Sequence, residues 1–207
     1  MRCILLFVAV SLSLTAGCQS EPEPTDPGGA YRLFIQAVGD GDLQAMWQRL
    51  DAETRGYFED RYRDLVAMDA KIHRYLPPTD HDVARSQSGT SLLSEIDGAR
   101  ELFEKVARPD RLAMTPSHRV GSRVESITVS KDEKSAVIET LAGQTFRMAR
   151  GEEGEWYVNL VASSDAIHQK FDWLRTNNEA LDETVDHLVD RERQRRERVI
   201  ADLFDVK

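Results

Sequence analysis

Apolar residues recur at three- and four-residue steps through the first half of the chain and at every second position in a central block. That change of period predicts helices followed by strands. Residues 30–38 read as a helix with Tyr31, Phe34 and Val38 on one face, ended by Gly39-Asp40-Gly41. Asp42 is placed to cap a second helical stretch carrying Leu43, Met46, Trp47 and Leu50,. Asp51 can cap a third and longer one, where Phe58, Tyr62, Leu65, Val66, Ile72 and Tyr75 recur at helical spacing until Pro77-Pro78 stops it,. Residues 79–89 read as a polar loop. Residues 91–107 read as a fourth helix, weakened at Gly98 by about 1 kcal/mol and ended by Pro109,.

Four strands are expected next, at 120–130, 135–142, 144–150 and 155–161, with turn signals at Lys131-Asp132, Ala142-Gly143 and 151–154,. Phe146/Met148 and Trp156/Val158/Leu160 alternate, whereas Val120/Val124 and Ile127/Val129 fall on opposite parities. The first strand should therefore carry a bulge or a sharp bend,. Short links make the sheet antiparallel. From Ser164 to the end the pattern is helical, with Ile167, Phe171, Leu174, Leu181, Val185 and Leu188 in a seam that also contains Asn178. Such a seam packs either on the domain or on a partner helix. The fold class is thus α+β: N-terminal helices on a bent four-stranded antiparallel sheet, plus a long C-terminal helix.

The N-terminus follows different rules. Arg2 precedes residues 4–14, an uncharged apolar run too short to span a bilayer, which takes about twenty apolar residues,. Its length and its one basic flank fit a signal-peptide core, and its all-round apolarity argues against an amphipathic helix of the folded domain. A plain secretory signal is the alternative. The run closes on Leu14-Thr15-Ala16-Gly17-Cys18, which resembles the lipobox of bacterial lipoproteins. The departure is that Leu14 stands four residues before the cysteine, where three is usual, with Thr15 in the intervening place. The resemblance implies cleavage before Cys18, lipidation (palmitate among the acyl groups) of that cysteine, and a membrane anchor. Under the same family's sorting rule, Gln19 rather than an aspartate implies the outer membrane, facing the periplasm. The expected organisation is 1–17 signal peptide, 18–29 disordered tether rich in Pro and Gly, 30–162 an α+β domain, and 163–207 a C-terminal helical extension,.

Helices first, then antiparallel strands ending in Gly154-Glu155-Trp156-Tyr157-Val158, is similar to the nuclear transport factor 2-like (SnoaL-like, cystatin-like) superfamily. The local matches are residues 37–43 after the first helix and 152–158 in the last hairpin, and the resemblance covers about residues 30–161. It implies a bent sheet wrapping a long helix into a cone. The C-terminal helix departs from it, and the 91–107 helix fits as a variable insertion. Such cones host dehydratases, isomerases, small-ligand binders and inert accessory domains, so the fold alone does not choose a function.

Composition narrows the chemistry. The chain carries a net charge of −9; loss of a signal holding one arginine and no acid makes the mature form −10. A field of that sign opposes phosphate contacts, which excludes nucleic acid as an expected partner. Cys3 leaves with the signal and Cys18 takes the lipid, so no thiol remains for a disulfide, a nucleophile or a zinc site,. No phosphate loop, dinucleotide fingerprint or nucleophile elbow occurs, and no cofactor is expected.

The histidines are His73, His81, His118, His168 and His187, none in a metal-protease spacing,. His168 and Asp172 at i, i+4, and the cluster Thr79-Asp80-His81-Asp82, read first as a surface pair and a loop cap. Inward polar candidates on the strands are His118, Arg123, Glu139 and Arg147. Glu139 and Arg147 are placed for a cross-strand ion pair. Trp47, Trp156 and Trp173 read as packing residues. Residues 190–198 hold five Arg against three acids and read as a solvated helix laced with ion pairs such as Glu192–Arg196,.

The expected function is that of a non-enzymatic envelope lipoprotein, a module for interaction or small-ligand binding. Its contacts would be the membrane through Cys18 and a protein partner or second copy through the C-terminal helix. The alternative is a periplasmic lyase or isomerase, which requires an acid with a His or Tyr inside the cone.

Overall fold

Three aspartates open the helical half of the computed structural model, which describes residues 22–107 and 115–204. Asp26 accepts from the Gly29 N–H at 2.6 Å and starts α1 (Pro27–Asp40). Asp42 accepts from Ala45 at 2.9 Å and starts α2 (Leu43–Gln48). Asp51 accepts from Thr54 at 2.9 Å and starts α3 (Ala52–Tyr75). Each satisfies a backbone donor that the first helical turn leaves unpaired. Gly41, in the left-handed region at φ 68°, closes α1, with the Gly41 and Asp42 N–H groups covering the Val38 and Ala37 carbonyls,. Pro27, Gly28 and Gly29, read from sequence as tether, form the buried first turn of α1 instead. The expected signal and lipobox with Cys18, Gln19, and Pro109, the expected helix end, lie outside the described residues.

Two further expectations are corrected. Residues 79–89 are not a loop: a short 3-10 turn (Pro78–Asp80) leads into α4 (His81–Ser88). Arg85 reaches Asp69 of α3 at 2.8 Å, and Ser88 is buried. The expected 91–107 helix is two pieces, a 3-10 turn (Thr90–Ser94) and α5 (Ala99–Ala107), divided around Gly98, where a helix is least favoured,. Leu102 and Phe103 of α5 enter the core.

The first strand starts later than its apolar pattern implies. Thr115, accepting from His118 N–H at 3.3 Å, and Pro116 at the first helical position nucleate α6 (Pro116–Gly121), which takes Val120 out of the sheet and leaves it exposed,. The strands are β1 (Val124–Val129), β2 (Ser135–Thr140), β3 (Thr145–Arg150) and β4 (Trp156–Asn159), antiparallel in sequential order. The expected irregularity is a bulge at Glu125: Val124 pairs with Thr140 and Ser126 with the adjacent Glu139,. The core face follows the register, with Ala136, Met148 and Val158 in one row and Ile138 opposite Phe146 in the next. Leu160 leaves the strand for a one-turn helix, α7 (Leu160–Ser163), capped by Asn159.

The outer edge of β4 does not stay open. Trp156 N–H donates to the Pro24 carbonyl at 2.8 Å, Val158 N–H to Arg49 at 2.8 Å, and Asp51 N–H to Val158 at 3.1 Å. The segment before α1 and the α2–α3 link thus cover an edge that would otherwise template pairing with another chain. Thr54 and Glu53 complete the joint by bonding Leu160 N–H at 3.0 Å and the Asn159 amide at 2.6 Å.

The last helix, α8 (Asp165–Phe204), runs 40 residues, and its first half packs within the chain. Phe171 and Leu174 are buried, Leu181 and Val185 nearly so. Asn178, the polar residue in the apolar seam, accepts from Lys71 of α3 at 3.1 Å, and Lys71 also pairs with Asp182 at 2.5 Å.

Candidate functional site

The helices and the sheet leave a cavity of about 470 Å³ where α1, α3, α5 and α8 meet the β2–β3 end of the sheet. Its floor follows from the apolar stripes already described. Phe34 of α1, Met46 of α2, Phe58 of α3 and Phe103 of α5 are each under 5% exposed. Around Phe58 the aromatic rings meet edge-on, Phe103 at 5.4 Å, Phe171 at 5.7 Å and Trp47 at 6.1 Å between centroids. Edge-to-face contacts of this kind hold rings in fixed orientations. Phe146 of β3 closes one side, its ring 5.0 Å from that of Tyr31. Ile35, Val38, Val106, Leu160 and Ile167 complete an apolar wall.

The polar lining comes from elsewhere. Ser117 and His118 lie on α6, Gln144 in the β2–β3 turn and Lys170 on α8, and all four are exposed. Buried floor and exposed polar residues together define an amphipathic pocket with its polar groups at the solvent end. The Lys170 ammonium donates to the Val106 carbonyl at 3.2 Å, in the last turn of α5, where a cation is favoured by the helix dipole,. Among the described residues no aspartate or glutamate lines the cavity. Tyr31 packs behind Phe146; its hydroxyl is committed to the Ser122 carbonyl at 3.0 Å, and burial pushes its pKa up to about 12.

Of the polar residues taken from sequence as site candidates, His118 is the one that lines this cavity, and it does so from a helix rather than a strand. Glu139 and Arg147 do not pair: register sets Glu139 opposite Thr145 and Arg147 opposite Val137, and Glu139 accepts instead from Ser126 at 3.0 Å. Arg123 is exposed. His168 stacks edge-on to Tyr57 at 5.2 Å, and no hydrogen bond joins it to Asp172 among the described residues. Burial raises the Tyr57 hydroxyl pKa, with Arg61 opposing that shift and Asp172 adding to it.

His81 contacts the Leu76 carbonyl at 3.0 Å and lies 4.6 Å from the His73 ring, while Thr79 donates to Asp80. Among the described residues no group of three His, Cys, Asp or Glu is placed to hold a metal. Trp47 and Trp156 pack in the interior, and Trp173 lies against Gly89. Lys170, Gln144 and Ser117 were not singled out by sequence. A lone lysine on a helix carries no pattern that marks it.

The arrangement defines a class: an α+β domain with an apolar, aromatic-floored pocket whose described lining holds no carboxylate. Compared with protein-family models, curated proteins and solved structures, the chain gives no significant match. None of the described helices is long and apolar enough to cross a membrane.

Proposed function

We propose that this chain is a lipid-anchored envelope protein, tethered through Cys18 to the outer membrane and facing the periplasm, whose domain binds a small apolar ligand. The observation that carries the ligand reading is the pocket of about 470 Å³ with its buried Phe34, Met46, Phe58 and Phe103. That volume lies within the roughly 300–1,000 Å³ of small-molecule sites, and the division into apolar wall and few polar groups is their usual composition. The lyase or isomerase alternative needs a carboxylate beside a His or Tyr, and the described lining offers His118 without one,.

The anchor is tested by feeding cells alkynyl palmitate. Label should enter the wild-type chain and be lost in Cys18→Ala; an unlabelled wild type removes the anchor. The ligand reading is tested by native mass spectrometry of the full chain purified in mild detergent. A co-purifying small molecule should be present in wild type and absent from Val106→Trp, which fills the pocket, and an identical spectrum for both contradicts it.

A second reading concerns α8. Its residues 189–200 are all exposed, Val189, Val199 and Ile200 among them, which favours a protein partner or a second copy on that half of the helix. A chain lacking residues 190–207 should then lose any self-association seen by analytical ultracentrifugation.

A further inference from the structure

We propose that the pocket takes a single-chain amphiphile with an anionic head, of the fatty-acid class, its tail on the aromatic floor and its head at Lys170 and His118. This rests on the ligand reading above and deepens it. The first argument is the segregation of the lining. Phe34, Met46, Phe58 and Phe103 are buried, while Ser117, His118, Gln144 and Lys170 are exposed to solvent. A wholly apolar ligand would leave the polar groups unused, and a wholly polar one would meet the floor without partners.

The second argument is the sign of the charge. The chain is acidic, at net −9, yet the titratable side chains of the described lining are a lysine and a histidine, with no carboxylate. A cationic head would find no counter-charge there, and an anionic one finds an ammonium. Third, Lys170 is not neutralised by an ion pair among the described residues. Lys71 and Lys105 are held by Asp182 and Glu95 at 2.5 and 2.6 Å; Lys170 meets a neutral carbonyl, and an ammonium has three protons to give,. A carboxylate at that place gains a charge-assisted bond, the stronger kind.

The test uses membranes from cells making the full-length chain and two photo-activatable probes, a diazirine-bearing palmitate and the matching hexadecanol. The wild type should be labelled by palmitate on peptides that contain Phe58 or Phe103. Lys170→Gln should lower palmitate labelling roughly fivefold, the scale of one charge-assisted contact at a solvent-facing rim, and leave hexadecanol labelling unchanged; Lys170→Arg should restore it. Val106→Trp and, as a second filler, Ala107→Phe should block both probes. Equal palmitate and alcohol labelling that ignores Lys170→Gln overturns the anionic head while leaving a pocket for apolar ligands. Labelling by neither probe overturns both readings.

Discussion

Tyr31 joins α1 to the start of the sheet: its ring is buried against Phe146, and its hydroxyl donates to the Ser122 carbonyl, just before β1. Tyr31→Phe keeps the ring and leaves that carbonyl without its donor, which should lower stability by about 1–2 kcal/mol in urea titrations. Burial also raises the phenol pKa to about 12. The unfolded chain releases that proton near pH 10, so stability is full below pH 10 and falls as pH rises toward 12. The Phe variant should lack this alkaline slope; an equal slope in both proteins would show that other groups cause it.

Asp51 shifts in the same direction for the same reason, since burial disfavours its charge while the Thr54 hydrogen bonds oppose the shift. The folded chain therefore holds the Asp51 proton more tightly than the unfolded one. This group destabilises the fold as pH rises from about 4, the ordinary carboxylate value, through its raised folded value. Asp51→Asn retains an oxygen acceptor for the Thr54 N–H and carries no charge. Urea midpoints measured across that range should show a flatter acid-side profile for Asn, whereas Asp51→Ala should lose about 1 kcal/mol with the cap.

At the scale of elements, legibility tracks how local the support is. α1, α2 and α3 each announce themselves by an aspartate cap ahead of an apolar stripe, and the β1 bulge is written in the parity switch between Val124 and Ile127. By contrast α4 has only Val83 and Ala84 as apolar residues, and its stability comes from distant groups. Arg85 bonds Asp69, and the Asn177 amide of α8 bonds the Gln87 and Ser88 carbonyls at 3.3 and 3.5 Å. Nothing in residues 79–89 alone records those partners. The cavity was hidden for a related reason. Its floor residues lie on four different helices and obey the same spacing as core residues, so no local pattern separates lining from filling.

Gly89 shows the dependence most sharply. It closes α4 at φ 79°, and a Cβ there would stand 2.5 Å from the Trp173 ring. Gly89→Ala meets both a disfavoured backbone and a clash with a buried-side indole, and should cost about 2 kcal/mol or more. Adding Trp173→Leu should recover the steric part and leave the backbone part. A double-mutant cycle without coupling would rule out the ring as the cause.

For the whole molecule, α8 divides its role along its length. At 40 residues it is about 60 Å long,, and its packed positions run from Phe171 to Val185, with Leu188 half-buried. Residues 176–190 hold five acids and no Lys or Arg, while 191–198 hold five Arg and two Glu. The described ion pairs of the latter stretch, such as Glu192–Arg196 at 3.1 Å, stay within the helix and on its surface, where each adds little. The two halves should therefore uncouple energetically. Phe171→Ala removes a ring packed on Tyr57 and Phe58 and should cost about 3–5 kcal/mol, with palmitate labelling of the neighbouring pocket reduced as well. Deleting residues 190–207 takes away no buried side chain among those described, so urea stability should stay within about 0.5 kcal/mol of wild type and pocket labelling should be unchanged. A large loss on deletion would mean that the projecting half supports the fold rather than reaching out from it, and would remove the reason for reading it as a contact surface.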